Sequence, residues 1–163
     1  MEATPDALTH TDARGAAQMV DVGGKPPMVR RATAEGFFVA SAATLDRVMA
    51  GDLPKGEALA VARVAGIQAA KECGRLIPLC HPLPLDFVTV AFTRAAFGDA
   101  AAIRVEARAG ITAKTGIEME ALTAVSVTCL TLYDMTKAVD KSLRIECVRL
   151  VEKTKGPVGA GPG

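Results

Sequence analysis

Tryptophan is absent from this 163-residue sequence, tyrosine occurs once, and aromatic residues make up only 4% of the chain. Proteins that hold single-stranded nucleic acid stack its bases on aromatic side chains, so this composition disfavours that class. The formal net charge is only +1, which provides no general attraction to nucleic acid or to an anionic membrane. We therefore expect neither nucleic acid nor a membrane as a partner.

Long apolar runs are also lacking. No stretch reaches the roughly eighteen consecutive apolar residues that a membrane-spanning helix needs. Residues 1–11 do not join a basic region to an apolar run, so no secretory signal is predicted. The cysteines follow neither a disulfide framework nor the paired spacing of a zinc site. We expect reduced thiols, a cytoplasmic location and no bound metal. The four cysteines are Cys73, Cys80, Cys129 and Cys147.

Half of the residues are apolar, which is enough to bury a core in a chain of this length. We predict a single domain over residues 1–163, with flexible ends at 1–9 and 154–163. The segment from 9 to 31 is rich in glycine, proline and polar residues, and we interpret it as an extended arm rather than a packed element.

The stretch from Thr115 to Val139 predicts a long helix, with Thr115 as its cap. Its ionisable residues lie near its two ends, whereas an ordinary surface helix spreads charge along one stripe. Glu118 and Glu120 stand at the start, and Asp134 and Lys137 share a face at the end. Fourteen residues separate Glu120 from Asp134, which is roughly 21 Å along a straight helix.

The remaining pattern predicts the order strand, helix, strand, strand, helix, strand. This is the ferredoxin-like βαββαβ pattern, an α+β fold with an antiparallel sheet and its helices packed on one face. The predicted strands cover 36–41, 86–94, 102–110 and 143–151; the predicted helices cover 41–49 (short), 57–72 and 115–139. In the last strand we expect Leu143, Ile145, Cys147 and Arg149 on one face.

Such a sheet leaves one face without helices. The strand residues Phe37, Phe87, Val90 and Phe92 indicate apolar side chains on both faces. We therefore expect the protein to self-associate.

A second stretch with a candidate functional residue is the proline-rich segment from Leu76 to Leu83, which contains His81. Proline restricts the backbone, so this segment can place an imidazole accurately for proton transfer. The alternative is a histidine that simply bonds to a backbone carbonyl, and the sequence leaves the two interpretations open. A Cys80–His81 catalytic dyad is disfavoured because neighbours in an extended segment point apart.

Several charged residues could have either a functional role or an ordinary structural one. Lys55 stands just before a helix start, where anions bind readily, but it also resembles an ordinary loop lysine. Asp134 and Lys137 fit a surface ion pair worth a few tenths of a kcal/mol. Glu118 and Glu120 fit simple compensation of a helix dipole. The same ambiguity applies to other basic residues: Arg30, Arg31, Lys71 and Arg75.

Taken together, these stretches resemble the MoaC family. The resemblance extends from about Leu8 to Lys153 and rests on five long blocks in the same order. The blocks are Leu8-Thr-His-Thr-Asp12 with Met19-Val-Asp-Val22, Ala65-Gly-Ile-Gln-Ala-Ala-Lys71, Leu76-Ile-Pro-Leu-Cys-His-Pro-Leu83, Thr115-Gly-Ile-Glu-Met-Glu-Ala-Leu-Thr-Ala124 and Tyr133-Asp-Met-Thr-Lys-Ala138.

The resemblance implies a ferredoxin-like fold and a lyase, the cyclic pyranopterin monophosphate synthase of molybdenum cofactor biosynthesis. Its nucleotide triphosphate substrate is (8S)-3′,8-cyclo-7,8-dihydroguanosine 5′-triphosphate, and its products are cyclic pyranopterin monophosphate and diphosphate. No redox cofactor is implied. Family members are homohexamers built as trimers of dimers, with active sites at subunit interfaces.

The family's functional residues fall on two sets of positions in this sequence. Catalytic roles are implied for Lys55, His81, Asp134 and Lys137. Substrate-binding roles are implied for Leu79, Cys80, His81, Glu118, Met119 and Glu120, with Arg30 and Lys71 as anion contacts. Such a set suits the chemistry, since phosphates need cations and ring opening and closure need proton donors and acceptors.

Three departures from the family pattern stand outside those positions. Glu57 replaces a common aspartate at a helix start, and Met28 replaces a common threonine near Arg30. The tail over 155–159 lacks the family's glycine- and lysine-rich sequence, which puts a phosphate contact from the tail in doubt.

Two other functional classes are compatible with the same fold. One is a non-catalytic ligand-binding or regulatory module, which gives no reason for His81, Glu120, Asp134 and Lys137 to occur together. The other is an RNA-binding sheet, which needs exposed aromatics and a basic face. Incubation with the cyclised GTP derivative distinguishes the first from an enzyme, because a binding module releases no diphosphate.

Overall fold

The computed structural model describes residues 14–159 and shows one four-stranded sheet with four helices. The strand order across the sheet is β2-β3-β1-β4, and each neighbouring pair is antiparallel. This confirms the predicted ferredoxin-like α+β fold. In chain order the elements are β1 (Met28–Val39), α1 (Ala42–Ala50), α2 (Ala58–Lys71), α3 (Cys73–Leu76), β2 (Phe87–Phe97), β3 (Ala100–Ala113), α4 (Glu118–Thr136) and β4 (Arg144–Gly156).

The core lies between the sheet and the helices α2 and α4. In β3, Ile103 and Val105 are fully buried towards the helices, whereas Arg104 lies on the other face with Glu106 and Arg108, as the alternation predicts. The two helices approach closely where Gly66 of α2 faces Thr128 of α4; a Cβ atom at position 66 would overlap the Thr128 hydroxyl. A glycine is therefore required for this helix crossing.

The short helix α1 covers Ala42–Ala50, one residue later at each end than the predicted 41–49. Ser41 accepts a hydrogen bond from the Thr44 backbone N–H, and Gly51 ends the helix in the left-handed region at φ 72°. The long helix α4 is shorter than predicted. It begins at Glu118 after Ile117, which makes no side-chain cap, so the prediction that Thr115 is the cap is wrong. Lys137 directly follows its last residue.

Strand β1 begins at Met28 rather than at the predicted position 36. Arg30 and Arg31 therefore belong to the sheet, and the prediction that they lie in an extended, unpacked arm is wrong. The small residues Ala32 and Ala34 alternate beneath the helices and are almost fully buried. Alanine carries little strand signal, so the sequence pattern did not reveal this part of the strand.

Strand β4 contains two bulges, one opposite Gly36 and one between Leu150 and Glu152. At the first, Cys147 adopts φ 50°, and the following side chains change sides. Arg149 consequently lies on the face without helices, where it bonds to Glu35, so its predicted position beside Ile145 is wrong. The strand also continues to Gly156, within the segment predicted to be flexible.

The face without helices is more polar than predicted. Val90 and Phe92 pack towards the helices, which leaves Phe37 and Phe87 as the predicted aromatics on this face. Its centre is a network of ion pairs around Glu35, a nearly buried carboxylate. Glu35 accepts hydrogen bonds at 2.6 Å from both Arg104 and Arg149. Burial raises the pKa of this carboxyl, but the two guanidinium groups outweigh it and hold the pKa below its ordinary value.

Within residues 14–159 no helix combines the length and the apolarity needed to cross a membrane. The four cysteines are free thiols, and Cys73 and Cys129 are buried. The predictions for residues 1–9 and for the Leu8–Asp12 block lie outside the described residues.

Candidate active site

The predicted site residues fall mainly into two clusters at opposite ends of α4. One surrounds Glu118 and Glu120 at the start of the helix, and the other surrounds Asp134 and Lys137 at its end. The 19-residue helix separates them. We call the first the carboxylate pocket and the second the lysine cluster.

The carboxylate pocket is a cavity of about 360 Å³. It brings together the proline-rich segment before β2, the first turn of α4 and part of the segment before β1. Every substrate-binding residue predicted from those first two segments lines it: Leu79, Cys80, His81, Glu118, Met119 and Glu120. Residues 37 to 41 positions apart in sequence thus share one cavity wall, because α3 and the segment after it lie beside the start of α4.

His81 lines this pocket, and its Nε2 atom lies 3.0 Å from the backbone oxygen of Val20. A hydrogen bond to a backbone carbonyl is what the non-catalytic interpretation of His81 predicted. The side chain is nevertheless half-buried at the cavity wall rather than enclosed in the core. Both interpretations of His81 are therefore compatible with its surroundings.

Glu118 is paired with a lysine from β4. Its Oε1 atom lies 3.0 Å from Nζ of Lys153, which reaches it from β4. Burial raises the pKa of Glu118, but its own backbone N–H, the Lys153 ammonium and the charge of Arg30 outweigh that effect and lower the pKa overall. The pocket therefore presents a carboxylate that accepts hydrogen bonds.

Glu120 lies in a different environment, although it is only two residues away. It is 3% exposed, and burial raises its pKa, with a further increase from the charge of Glu118. Two carboxyl groups in one pocket thus have pKa values displaced in opposite directions. Such a pair can divide the tasks of accepting and donating a proton.

The lysine cluster joins residues from two distant segments. Asp134 lies between two ammonium groups: Nζ of Lys137 is 2.7 Å from Oδ1, and Nζ of Lys55 is 2.9 Å from Oδ2. The hydrogen bond from Lys137, followed by that from Lys55, lowers the pKa of Asp134 to about 2. The same bond raises the pKa of Lys137. All three side chains are substantially exposed, so the cluster offers two cations to an incoming anion.

Two predicted anion contacts lie elsewhere. Arg30 donates hydrogen bonds to the backbone oxygens of Ala113 and Lys114, near the carboxylate pocket. It is therefore at the opposite end of α4 from Lys55. Lys71 is exposed at the end of α2 and lines a separate groove with Arg75 and Pro82. Within one chain, these basic residues do not form a single site.

The structure also adds residues that the sequence analysis did not single out. Lys153 pairs with Glu118, and Val20, Val22 and Lys25 line the carboxylate pocket. Neither lysine carried a usable sequence signal. Lys153 faces the helices only because of the bulges in β4, and Lys25 lies between glycine and proline breakers. Between residues 14 and 159 no three His, Cys, Asp or Glu side chains are grouped so as to hold a metal ion.

The fold and the two clusters define a ferredoxin-like protein with two carboxyl groups of oppositely displaced pKa at one end of its long helix and two exposed ammonium groups at the other. The family model described as "MoaC family" matches residues 19–156. The chain therefore belongs to the MoaC family.

Curated relatives named cyclic pyranopterin monophosphate synthase match almost the whole chain. One from Novosphingobium aromaticivorans is 55% identical over 152 residues, which is 93% of this chain and 94% of the relative. One from Chloroflexus aggregans is 51% identical over 159 residues, 98% and 95% of the two chains. One from Corynebacterium efficiens is 52% identical over 152 residues, 93% and 96% of the two chains.

Proposed function

We propose that this protein is a cyclic pyranopterin monophosphate synthase, a lyase of molybdenum cofactor biosynthesis. It converts (8S)-3′,8-cyclo-7,8-dihydroguanosine 5′-triphosphate into cyclic pyranopterin monophosphate and diphosphate. The observation that carries the proposal is the similarity to relatives of that name, at 51–55% identity over nearly the full length of both chains. The free thiols fit a reducing, cytoplasmic location.

The carboxylate pocket suits the purine-derived end of this substrate. Ionised Glu118 accepts hydrogen bonds from ring N–H groups, and Glu120 is the group that carries a proton more readily. Leu79, Cys80 and Met119 provide the less polar wall. We assign His81 a catalytic role as a proton carrier in this pocket.

The lysine cluster suits the phosphates. Lys55 and Lys137 are held 2.7–2.9 Å from Asp134, so both are positioned before an anion arrives. Phosphate oxygens form strong charge-assisted hydrogen bonds with such ammonium groups. We assign Asp134, Lys137 and Lys55 catalytic roles, with Arg30 and Lys71 as further anion contacts.

The separation of the two clusters favours an active site shared between two chains. Glu120 and Asp134 are fourteen residues apart in α4, roughly 21 Å along the axis. In an antiparallel pair of α4 helices, the start of one helix lies near the end of the other. A two-fold dimer would then complete two sites at once.

The surface of α4 supports this arrangement. Its outward side carries large apolar residues from the carboxylate pocket to the lysine cluster: Met119 at the pocket is 38% exposed, Leu130 is 58% exposed and Tyr133, next to Asp134, is 39% exposed. The opposite side is buried in the core. A helix that is apolar on both sides is typical of one covered by a further layer of protein. We propose that a second copy covers it, within a hexamer built as a trimer of dimers.

The direct test is to incubate the purified protein with the cyclised GTP derivative and to measure diphosphate and the pterin product. Stoichiometric release of both is expected. A Lys137→Ala protein purified identically shows whether any activity comes from a contaminant. Tight binding of the substrate without diphosphate release would instead identify a binding or regulatory module and reject the proposed reaction.

A further inference from the structure

One side of the carboxylate pocket is formed by a segment without regular secondary structure. Residues 18–27, before β1, belong to neither a helix nor a strand. Val20, Val22 and Lys25 of this segment nevertheless line the cavity. A segment without a helix or sheet ladder takes its position from individual contacts. We call residues 20–25 the arm wall.

The arm wall contains a tight turn over residues 22–25. The Lys25 backbone N–H donates to the Val22 oxygen at 3.1 Å, and the Asp21 carboxylate accepts from the Gly23 N–H at 2.7 Å. The turn packs against little among the described residues. A Cβ atom at Gly24 would meet nothing within 4 Å beyond its chain neighbours, and one at Gly23 would meet the Asp21 side chain. Apolar packing therefore contributes little to the position of this turn.

Lys114 reaches the turn from the end of β3. Its Nζ atom donates a hydrogen bond to the backbone oxygen of Gly23 at 2.6 Å, across 91 positions of sequence. The backbone of this lysine is itself held by the sheet. Arg30 on β1 donates from Nε to the Ala113 oxygen at 3.2 Å and from Nη2 to the Lys114 oxygen at 3.3 Å. A half-buried lysine fixed at its base loses less freedom in holding a partner than a fully exposed one.

Two side chains from other segments thus meet the backbone of the arm wall. The Nε2 atom of His81 lies 3.0 Å from the Val20 oxygen, and Lys114 holds Gly23 three residues later. His81 comes from the proline-rich segment, and Lys114 directly precedes Thr115, which lines the same cavity. These contacts join the arm wall to both of the other segments that form the pocket.

We propose that Lys114 is a positioning residue for the carboxylate pocket: its ammonium holds the turn of the arm wall, so that the substrate meets a pocket that is already formed. The proposal rests on the proposed function for the identity of the substrate, whereas the contact itself belongs to the fold. Lys114 is not among the residues that line the cavity, so it acts through the turn rather than by touching the substrate.

The effect of this contact is expected in substrate binding rather than in the chemical step. A wall that is already in place spares the substrate the entropy cost of ordering it. If the wall is in place in only a fraction of the molecules, the apparent affinity falls by that fraction. Every bound complex remains competent. Loss of the Lys114 bond should therefore raise KM and leave kcat nearly unchanged.

The absence of tryptophan from the chain allows a direct measurement on the turn. Gly24→Trp places a single indole where a side chain has open space, and its fluorescence anisotropy decay reports the mobility of the turn in the full-length protein. Addition of Lys114→Met, which removes the ammonium but keeps an unbranched side chain, should lower the residual anisotropy of the nanosecond decay. Lys114→Arg, which retains a cationic donor, should restore most of it.

The kinetic test uses the two Lys114 substitutions without the reporter. With the cyclised GTP derivative, Lys114→Met should raise KM about tenfold, the effect of losing one charge-assisted hydrogen bond. The kcat value should stay within about twofold of the parent, and Lys114→Arg should resemble the parent. A residue that merely stabilises the fold would instead lower the amount of active enzyme at unchanged KM. Unchanged anisotropy or unchanged KM in Lys114→Met would overturn the proposal.

Two further variants complete the test. Arg63→Met is the matched control, because Arg63 also donates to a backbone oxygen of another element, that of Val90 at 3.2 Å, but lies outside both clusters. It should change neither the anisotropy nor KM, and changes equal to those of Lys114→Met would reject a specific role for Lys114. Asp21→Ala removes the second side-chain contact of the turn. It should change both quantities in the same direction as Lys114→Met, which keeps the test decisive if Lys114→Met folds poorly.

The anisotropy measurement needs no substrate, so it is decided separately from the proposed reaction. Failure of the parent protein to turn over the cyclised GTP derivative would reject the proposed function, and the anisotropy would still show whether Lys114 holds the turn. Normal turnover by the parent with no response in the Lys114 and Asp21 variants would reject the role of Lys114 and leave the proposed function standing.

Discussion

The Nζ atom of Lys55 lies 2.9 Å from both the backbone oxygen and the Oδ2 atom of Asp134, although the two residues are 79 positions apart in the sequence. This double contact fixes the loop between α1 and α2 against the end of α4. Lys137 holds the other carboxylate oxygen at 2.7 Å. Asp134 therefore keeps two mutually repelling ammonium groups close together, which an anionic substrate can then bridge.

Asp134 and Lys137 are predicted to be essential for turnover. Asp134→Asn and Lys137→Ala should each lower kcat by about 10²-fold or more, the usual effect of losing a proton-transfer group. Both side chains are exposed, so the circular dichroism and the melting temperature should be retained. Asp46→Asn is the matched control, since Asp46 is also an exposed aspartate in an ion pair, with Arg94. Near-normal diphosphate release from either cluster variant would remove that residue from the mechanism.

Lys55 is predicted to bind the phosphates. Lys55→Ala should weaken diphosphate binding about tenfold, consistent with the loss of one charge-assisted hydrogen bond, and should reduce its salt dependence. The measurement is isothermal titration calorimetry at two salt concentrations. Arg94→Ala also removes a cation paired with an exposed aspartate, but away from the cluster, and should bind normally. Equal diphosphate affinity in Lys55→Ala and the parent at low salt would contradict the assignment.

The proposed sharing of an active site between two chains predicts complementation between inactive variants. Glu120→Gln damages the carboxylate pocket, and Lys137→Ala damages the lysine cluster. If oligomers of the two variants are dissociated and reassembled together, some sites should combine an intact pocket from one chain with an intact cluster from the other. Diphosphate release should then recover to about a quarter of the parent level when chains mix at random in two-fold dimers. Verified subunit exchange without recovered activity would reject the shared site.

Glu35 is predicted to stabilise the sheet in a pH-dependent way. Glu35→Gln should lower the free energy of unfolding by about 1–3 kcal/mol, because Arg104 and Arg149 lose their charged acceptor. The folded pKa of Glu35 lies below the ordinary value of 4.5. Its contribution is thus complete above that pH and is lost as the pH falls through the folded pKa. Urea unfolding at neutral and acidic pH measures both effects.

The control for that experiment is Glu146→Gln. Glu146 pairs with Arg144, but both side chains are far more exposed than Glu35, so its loss should cost less than about 1 kcal/mol. If the two variants lose equal stability at neutral pH, burial does not make the ion pairs of Glu35 more stabilising than an exposed pair.

Much of this architecture could be predicted because its signals are local. The alternation of Ile103 and Val105 with arginine and glutamate marks β3, and helical spacing marks α4. The start of β1 could not be found in this way. Ala32 and Ala34 are almost fully buried there, and the burial of such small residues is a property of packing rather than of strand preference.

The sequence could propose which residues belong to the candidate site, but not which of them lie close together. Family resemblance identified His81, Glu120 and Asp134, yet sequence spacing cannot say which distant residues meet. Lys55 reaches Asp134, whereas Arg30 lies at the other end of α4. Lys153 was missed because its ion pair with Glu118 depends on the bulges of β4, which no residue pattern in the sequence predicts.

Those bulges make the length of β4 as important as its composition. The first moves Arg149 to the side of Glu35, and the second returns Lys153 to the side of Glu118. Each bulge holds one residue more than β1 opposes, so deleting Val151 would remove a bulge and leave Glu152 opposite Thr33 and Lys153 opposite Ala32. Deleting one residue at the other bulge would likewise keep the remaining pairs in register. The strand can therefore lose one residue at each bulge without moving a side chain to the other face, whereas a third deletion would swap the sides of everything after it.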